Sequence, residues 1–183
     1  GVATGTGVPP RKIGKVVGVA KAYATRVGAG PFPTEFEEHF QEQFRLSAKE
    51  FGATTGRPRK CGWFDTVAIR YACMVNGVSS MVLTKLDCLS GVGTLKICVG
   101  YRSEKREPLS SFPSHRDELA HLTPVYEEIP GWQEAVEGVT EEHKLPEAAR
   151  AYIRRLEELL DVRIALISTG PGRNDIIMRE ALW

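Results

Sequence analysis

The chain has 183 residues, 42% hydrophobic and 26% charged, the balance of an ordinary globular domain and not of a disordered or fibrous one. Lys and Arg number 24 against 23 Asp and Glu, so a net charge of +1 gives no global field to draw in nucleic acid or an anionic membrane. A chain of this length buries about 70% of its unfolded surface, enough for one core without staples.

Gly1 to Gly7 open the chain as loop, with no initiator Met, as expected of a fragment of something longer. Pro9 and Pro10 suit a helix start, and Ile13, Val16, Val17 and Ala20 then fall at helical spacing, so a helix is expected through Ala20. Gly14 and Gly18 within it point to close packing against a neighbour. Residues 25–34 are too rich in Gly and Pro for helix or strand. Phe36, Phe40 and Phe44 recur every four residues and predict an amphipathic helix over 35–49, its Phe stripe turned to the core.

A polar loop is expected over 52–62, then a helix over 63–75 with Val67, Ala68, Tyr71, Ala72 and Val75 on its buried side and Asn76-Gly77 as a left-handed stop. Residues 80–84 read as a short buried strand with Lys85, Leu86 and Asp87 at its carboxyl end. Leu95, Ile97, Val99 and Tyr101 alternate with Lys96, Cys98 and Gly100, which predicts a half-buried strand. Residues 102–143, punctuated by four prolines, read as irregular with a small antiparallel excursion.

Pro146 opens the clearest helix, running to about Leu160, with Ala149, Tyr152, Ile153, Leu156 and Leu160 buried and Arg154 paired with Glu158. A strand over 162–167 delivers Ser168, Thr169, Gly170 and Pro171 at its carboxyl end. Helix, strand and loop, twice over, predict an α/β fold: a mixed or parallel sheet with flanking helices, whose ligands gather outside the carboxyl ends of strands.

Cys61, Cys73, Cys88 and Cys98 lack C-x-x-C spacing and the four histidines are scattered, so reduced thiols and no metal site are expected. No apolar run reaches the roughly 18 residues of a membrane span, nor does the start resemble a signal peptide. A soluble, cytoplasmic chain is expected, with no membrane or nucleic-acid partner.

Three constellations can carry chemistry. A carboxylate such as Asp87 at a strand end can accept from both N1–H and the exocyclic amine of guanine, a donor pair adenine lacks. Lys85, two residues earlier, can cover the ring with its aliphatic stem. The Ser168–Pro171 turn can offer backbone N–H groups to a base oxygen. Thr54, Thr55, Gly56, Arg57, Arg59 and Lys60 form a cationic loop suited to carboxylate or phosphate, with Pro58 setting the two arginines apart. No Walker phosphate loop, complete dinucleotide fingerprint, nucleophile triad or H-E-x-x-H occurs.

Together, the stretches 25–35 (TRVGAGPFPTE), 52–59 (GATTGRPR), 61–65 (CGWFD), 84–87 (TKLD), 124–127 (PVYE), 130–132 (PGW) and 168–171 (STGP) resemble adenylosuccinate synthetase, in that family's order across nearly the whole chain. The resemblance covers less than half of the family's usual polypeptide, and residues 1–183 match its C-terminal portion. It implies a P-loop-NTPase-like fold, here a partial domain, and a homodimeric ligase of AMP biosynthesis. That ligase joins IMP to L-aspartate with GTP and Mg2+ through 6-phosphoryl-IMP.

Carried over by position, Lys85, Leu86 and Asp87 match the guanine-recognition motif, with Ser168, Thr169 and Gly170 as the second GTP-binding loop. Ala53, Thr54, Thr55, Gly56, Arg57 and Arg59 match the loop that captures aspartate, Arg57 also near IMP and Arg59 near the GTP phosphates. Val27 matches a position lining the IMP site. Pro58 stands where many relatives carry another Arg, and the flanking arginines make little effect expected. The phosphate loop, catalytic Asp and His, Mg2+ ligands and most IMP contacts of the family find no counterpart in this segment. By itself it is expected to be inactive, with apolar faces left open. A non-enzymatic guanine-nucleotide-binding module and an inert scaffold are the alternatives.

Overall fold

The structure is a computed structural model and describes residues 1–103, 108–109 and 111–182. After a short helix, α1 (Val2–Thr6), and a single 3-10 turn at Pro10–Lys12, the chain enters strand β1 (Val17–Lys21). The helix expected through Ala20 is therefore not formed. Val17, Gly18 and Val19 instead pair in parallel with Ser80, Met81 and Val82, a partner that local periodicity cannot reveal. β-Branched valines suit that extended, half-buried site. Close packing at Gly18 is borne out, since a Cβ there would stand 3.1 Å from Val78 Cγ1, whereas Gly14 has open space around it.

Strand β2 (Ala24–Arg26) pairs antiparallel with β3 (Lys60–Gly62), so the two polar loops each yield a short strand at one end. Between them lies α2 (Glu38–Ser47), shorter than the expected 35–49, so Phe36 precedes the helix; Phe36, Phe40 and Phe44 still pack on one another, and Phe36 and Phe40 on Trp63, with ring centroids 4.7–5.8 Å apart. Strand β4 (Phe64–Asp65) leads into α3 (Thr66–Asn76), capped where Asp65 Oδ1 accepts from the Ala68 amide at 3.1 Å. Gly77, at φ 62°, ends it as predicted.

The buried side of α3 is not the expected one. Thr66, donating to the Cys98 carbonyl at 2.6 Å, and Cys73 are buried, while Tyr71, Ala72 and Val75 are exposed. This helix is apolar nearly all round, so periodicity does not choose a face.

Strand β5 (Ser80–Thr84) matches its expected bounds and sits at the centre of a sheet ordered β1-β5-β9-β10. Here β9 (Ile164–Ser168) runs parallel to β5, and β10 (Ile176–Met178), which no sequence signal marked, runs antiparallel to β9. Beside it, β6 (Thr94–Arg102) carries β8 (Thr123–Pro130) along one edge and β4 and β7 (Pro108–Leu109) on the other, with a bulge between Cys98 and Gly100. That bulge turns Cys98 inward with Ile97, breaking the expected alternation. The antiparallel excursion of 102–143 is thus a full ladder, joined by α4 (Arg116–Ala120); residues 104–107 and 110 lie outside the described residues.

Helix α5 (Glu147–Leu160) buries the five residues expected of it, and Tyr152 donates to the Ala22 carbonyl at 2.6 Å. Its ion pairs differ from the expected one. Arg154 bonds Glu147 at 2.7 Å, while Arg155 holds Glu158 and clamps both oxygens of Glu127 on β8. Asp161, in the left-handed region at φ 54°, turns the chain into β9, two residues later than expected.

All four cysteines are free, and burial pushes Cys61 and Cys88 up to about 11 and Cys98 up to about 12. Among the described residues no helix is long and apolar enough to cross a membrane. Val19 and Met74 are 71% and 70% exposed, so apolar side chains of β1 and α3 do stand open.

Candidate functional site: a cleft at the carboxyl ends of two parallel strands

β5 and β9 are neighbours, with Leu83 opposite Ile167, so the turns that follow them lie side by side. Lys85 adopts the left-handed conformation (φ 65°) and redirects the chain into a 3-10 turn, Leu86–Leu89. This buries Leu86 completely and leaves Asp87 facing a cleft of about 360 Å³. Lys85, Asp87, Ser168, Gly170 and Pro171 line that cleft together with Lys21, Cys88 and Glu137. The two turns are thus brought into one site.

Asp87 is its most telling group. Oδ2 receives the Cys88 thiol at 3.7 Å, whereas Oδ1 is buried and accepts no hydrogen bond among the described residues. An unpaired buried carboxylate oxygen is costly, and in folded proteins an ordered water, an ion or a ligand supplies the missing partner. Burial raises the Asp87 carboxyl above its ordinary range, against the opposing charge of Lys85. Lys85 Nζ itself donates to the Ala48 carbonyl at 3.2 Å, which draws its stem along the cleft wall.

The opposite wall is held from behind. Thr169 is fully buried, its hydroxyl donating to the Val139 carbonyl at 2.8 Å and its amide to the Asp175 carbonyl at 2.9 Å. Asp175 Oδ2 accepts the Gly172 amide at 2.7 Å, and a Cβ on Gly170 would come within 2.6 Å of that same oxygen. A side chain at position 170 would therefore have to displace the Asp175 carboxylate from the Gly172 amide. Leu86 and Thr169, expected among the contacting residues, have side chains in the core; a ligand would meet these positions only through their main chain.

The basic loop is a tight hairpin outside this cleft. The Gly52 amide donates to the Arg57 carbonyl at 2.8 Å, the Gly56 amide to the Gly52 carbonyl at 2.9 Å, and Phe51 bridges Pro58. Ala53, Thr54, Thr55, Gly56 and Arg57 are exposed, while Arg59 turns inward and its Nη1 meets Glu50 Oε2 at 2.8 Å. Pro58 does set the two arginines in different directions. Val27, 64% exposed beside Gly28, does not line the cleft.

Several residues of this neighbourhood escaped the sequence reading. Lys21, Cys88 and Glu137 carry no local motif; Lys21 could have been flagged only by knowing that β1 lies beside β5. Glu50 is fully buried and receives Lys21 Nζ at 2.7 Å and the Tyr23 hydroxyl at 2.5 Å besides Arg59. Burial acts to raise its carboxyl, but the hydrogen bonds from Lys21, Tyr23 and Arg59 outweigh that and hold it at about 2.

Comparison with known proteins follows this geometry. The family model described as adenylosuccinate synthetase matches residues 1–177. The adenylosuccinate synthetase of Trichlorobacter lovleyi is 52% identical over 178 residues, 97% of this chain and 41% of that protein. The protein of that name from Lactococcus lactis subsp. cremoris is 49% identical over 183 residues, 100% of this chain and 43% of its own length. The solved structure of fully ligated adenylosuccinate synthetase from Plasmodium falciparum superposes with a TM-score of 0.93 at 38% identity, covering 97% of this chain and 42% of that one. The chain therefore spans about two-fifths of the length of the curated relatives it matches. On the match over residues 1–177, the chain belongs to the adenylosuccinate synthetase family.

Proposed function

We propose that this chain is the C-terminal portion of an enzyme that joins IMP and L-aspartate to adenylosuccinate at the expense of GTP, and that it holds the guanine and aspartate subsites. The observation that carries the reading is the buried, unpaired Oδ1 of Asp87 in the cleft between Lys85 and the Ser168–Gly170 turn. Guanine offers two adjacent N–H donors to such a carboxylate and adenine does not, so the cleft selects the base. Main-chain groups of the Ser168–Gly170 turn, fastened by Asp175, face the base from the other side.

Arg57 and Arg59 supply planar donor forks for the aspartate carboxylates and for phosphate, with Arg57 also toward IMP and Arg59 also toward GTP. Ala53 to Gly56 provide the loop that closes on aspartate, and Val27 lies toward IMP. In this reaction the γ-phosphoryl group passes to the 6-oxygen of IMP. The aspartate amine then bonds to C6, loses a proton and expels that oxygen as inorganic phosphate. The role of the described residues is to bind and orient; the reacting groups belong to the remainder of a homodimeric, cytoplasmic enzyme. Mg2+ is the metal the family implies, but among the described residues no three His, Cys, Asp or Glu side chains converge to hold an ion. They do not fit it, and no step is assigned to them through it.

The test is adenylosuccinate formation by the full-length polypeptide containing this chain, with each substrate omitted in turn. Turnover that requires GTP, IMP and aspartate together is expected. A folded protein that binds GTP without turnover would instead make it a binding module.

A further inference from the structure

Between the guanine cleft and the basic loop stands a polar cluster that neither subsite accounts for. Lys49, in the left-handed region at φ 52°, turns the chain inward after α2, so that Glu50 is fully buried at the foot of the 52–59 hairpin. One of its oxygens accepts from Lys21 Nζ and the Tyr23 hydroxyl, and the other from Arg59 Nη1. The Arg59 amide, in turn, donates to the Glu50 carbonyl at 3.0 Å. Lys21 lines the guanine cleft together with Asp87 and Cys88, whose thiol bonds Asp87.

Through Lys21, Glu50 thus joins the wall of the guanine cleft to the arginine of the loop. We propose that Glu50 is a positioning residue: it fixes Arg59 and Lys21 in one arrangement and so couples occupancy of the guanine cleft to the geometry of the aspartate loop. This rests on the assignment of Arg59 and the loop given above.

Three features separate this from a plain structural ion pair. Glu50 is the common acceptor for three donors from two segments, so its loss frees groups at both subsites at once. Arg59 remains 32% exposed beyond the pair, leaving further N–H donors of its five for an anionic ligand. Lys21 also donates to Thr25 Oγ1 at 3.1 Å, which ties the same cluster to the start of the 25–35 segment.

The experiment compares wild-type, Glu50→Gln and Glu50→Asp forms of the full-length enzyme, measuring KM for aspartate and GTP, kcat, and the preference for GTP over ATP. Because a charge-assisted bond is removed from the residue holding Arg59, Glu50→Gln is expected to raise the KM for aspartate about tenfold or more. Preference for GTP over ATP should stay within about twofold, since Asp87 is untouched, and Glu50→Asp should recover part of the loss. A folded Glu50→Gln enzyme with unchanged aspartate KM overturns the proposal, as does a fall in kcat alone in proportion to lost folded protein.

Should Glu50→Gln fail to fold, Tyr23→Phe removes one neutral donor and is expected to raise the same KM about threefold; no change there also overturns it. Wild-type enzyme without turnover would mark failure of the functional reading itself, a result distinct from these.

Discussion

Asp87, half-buried, and Glu50, fully buried, show how two carboxylates acquire opposite characters. Glu50 has both oxygens met, by Lys21, Tyr23 and Arg59, and is held at about 2. Asp87 keeps one oxygen without a donor among the described residues, and burial raises its carboxyl. The first is a finished structural ion; the second keeps an oxygen open, to which the proposed guanine would donate.

A pH dependence follows with a definite sign. The proposed guanine contact needs the ionised form of Asp87, so GTP affinity should decline on acidification through a pH above the ordinary aspartate value of 3.8. Titration calorimetry with GTP between about pH 7 and pH 4.5 checks it, and an affinity flat over that range contradicts it. The place of Asp87 was legible because it follows a short apolar strand of an α/β sheet, whereas a lysine and a carboxylate at that spacing recur by chance and do not name a chemistry alone. Glu50 was not, because in sequence it reads as one more solvated acid at the end of an amphipathic helix. Its burial depends on Lys49 turning the chain and on donors that lie far along it.

At the scale of elements, α5 and β5 were readable residue for residue and β1 was not. In α5 the apolar residues occupy one face only, so periodicity and burial carry the same information. In β5 an apolar run, Met81 to Leu83, stands between Ser80 and Thr84. For β1 the spacing of Ile13, Val16, Val17 and Ala20 fits a helix as well as it fits chance, and pairing with β5, some sixty residues away, decides it. The α3 face failed for the opposite reason, an excess of apolar positions. The ladder of β6 and β8 was anticipated only as an excursion, since its prolines fall at strand ends and edges, where they cost little.

Element junctions also depend on single glycines. A Cβ on Gly131, which follows β8, would lie 1.9 Å from the Val92 carbonyl oxygen, and that atom is main chain and cannot swing away. Gly131→Ala is therefore expected to destabilise the fold by about 2–4 kcal/mol, the range of strain and overpacking in a buried junction. Denaturant unfolding measures it, and a loss under about 0.5 kcal/mol would mean the β8 exit is looser than the packing indicates. Substitution of Ile153, fully buried on α5, by Ala should cost a similar 2–5 kcal/mol through the cavity it leaves.

Taken as a whole, the molecule is a sheet whose carboxyl ends hold the cleft, with an antiparallel ladder and α5 bracing it and a basic hairpin suspended from Glu50. Its acid stability should reflect that suspension. The folded value of Glu50 lies below its unfolded value of about 4.5, so its contribution is complete above that pH and is lost as the pH falls toward about 2. Unfolding followed between those limits should show stability falling with acid, and the fall should be shallower in Glu50→Gln; equal slopes in both forms would contradict it.

The most direct test of the central claim compares GTP and ATP as substrates of the full-length polypeptide with and without Asp87→Ala. The account predicts a GTP preference in the parent that collapses in the variant, with kcat/KM for GTP lower by about 10–100-fold and that for ATP not reduced. Equal losses for both nucleotides, or an undiminished GTP preference, would contradict the assignment of Asp87 as the group that reads the base.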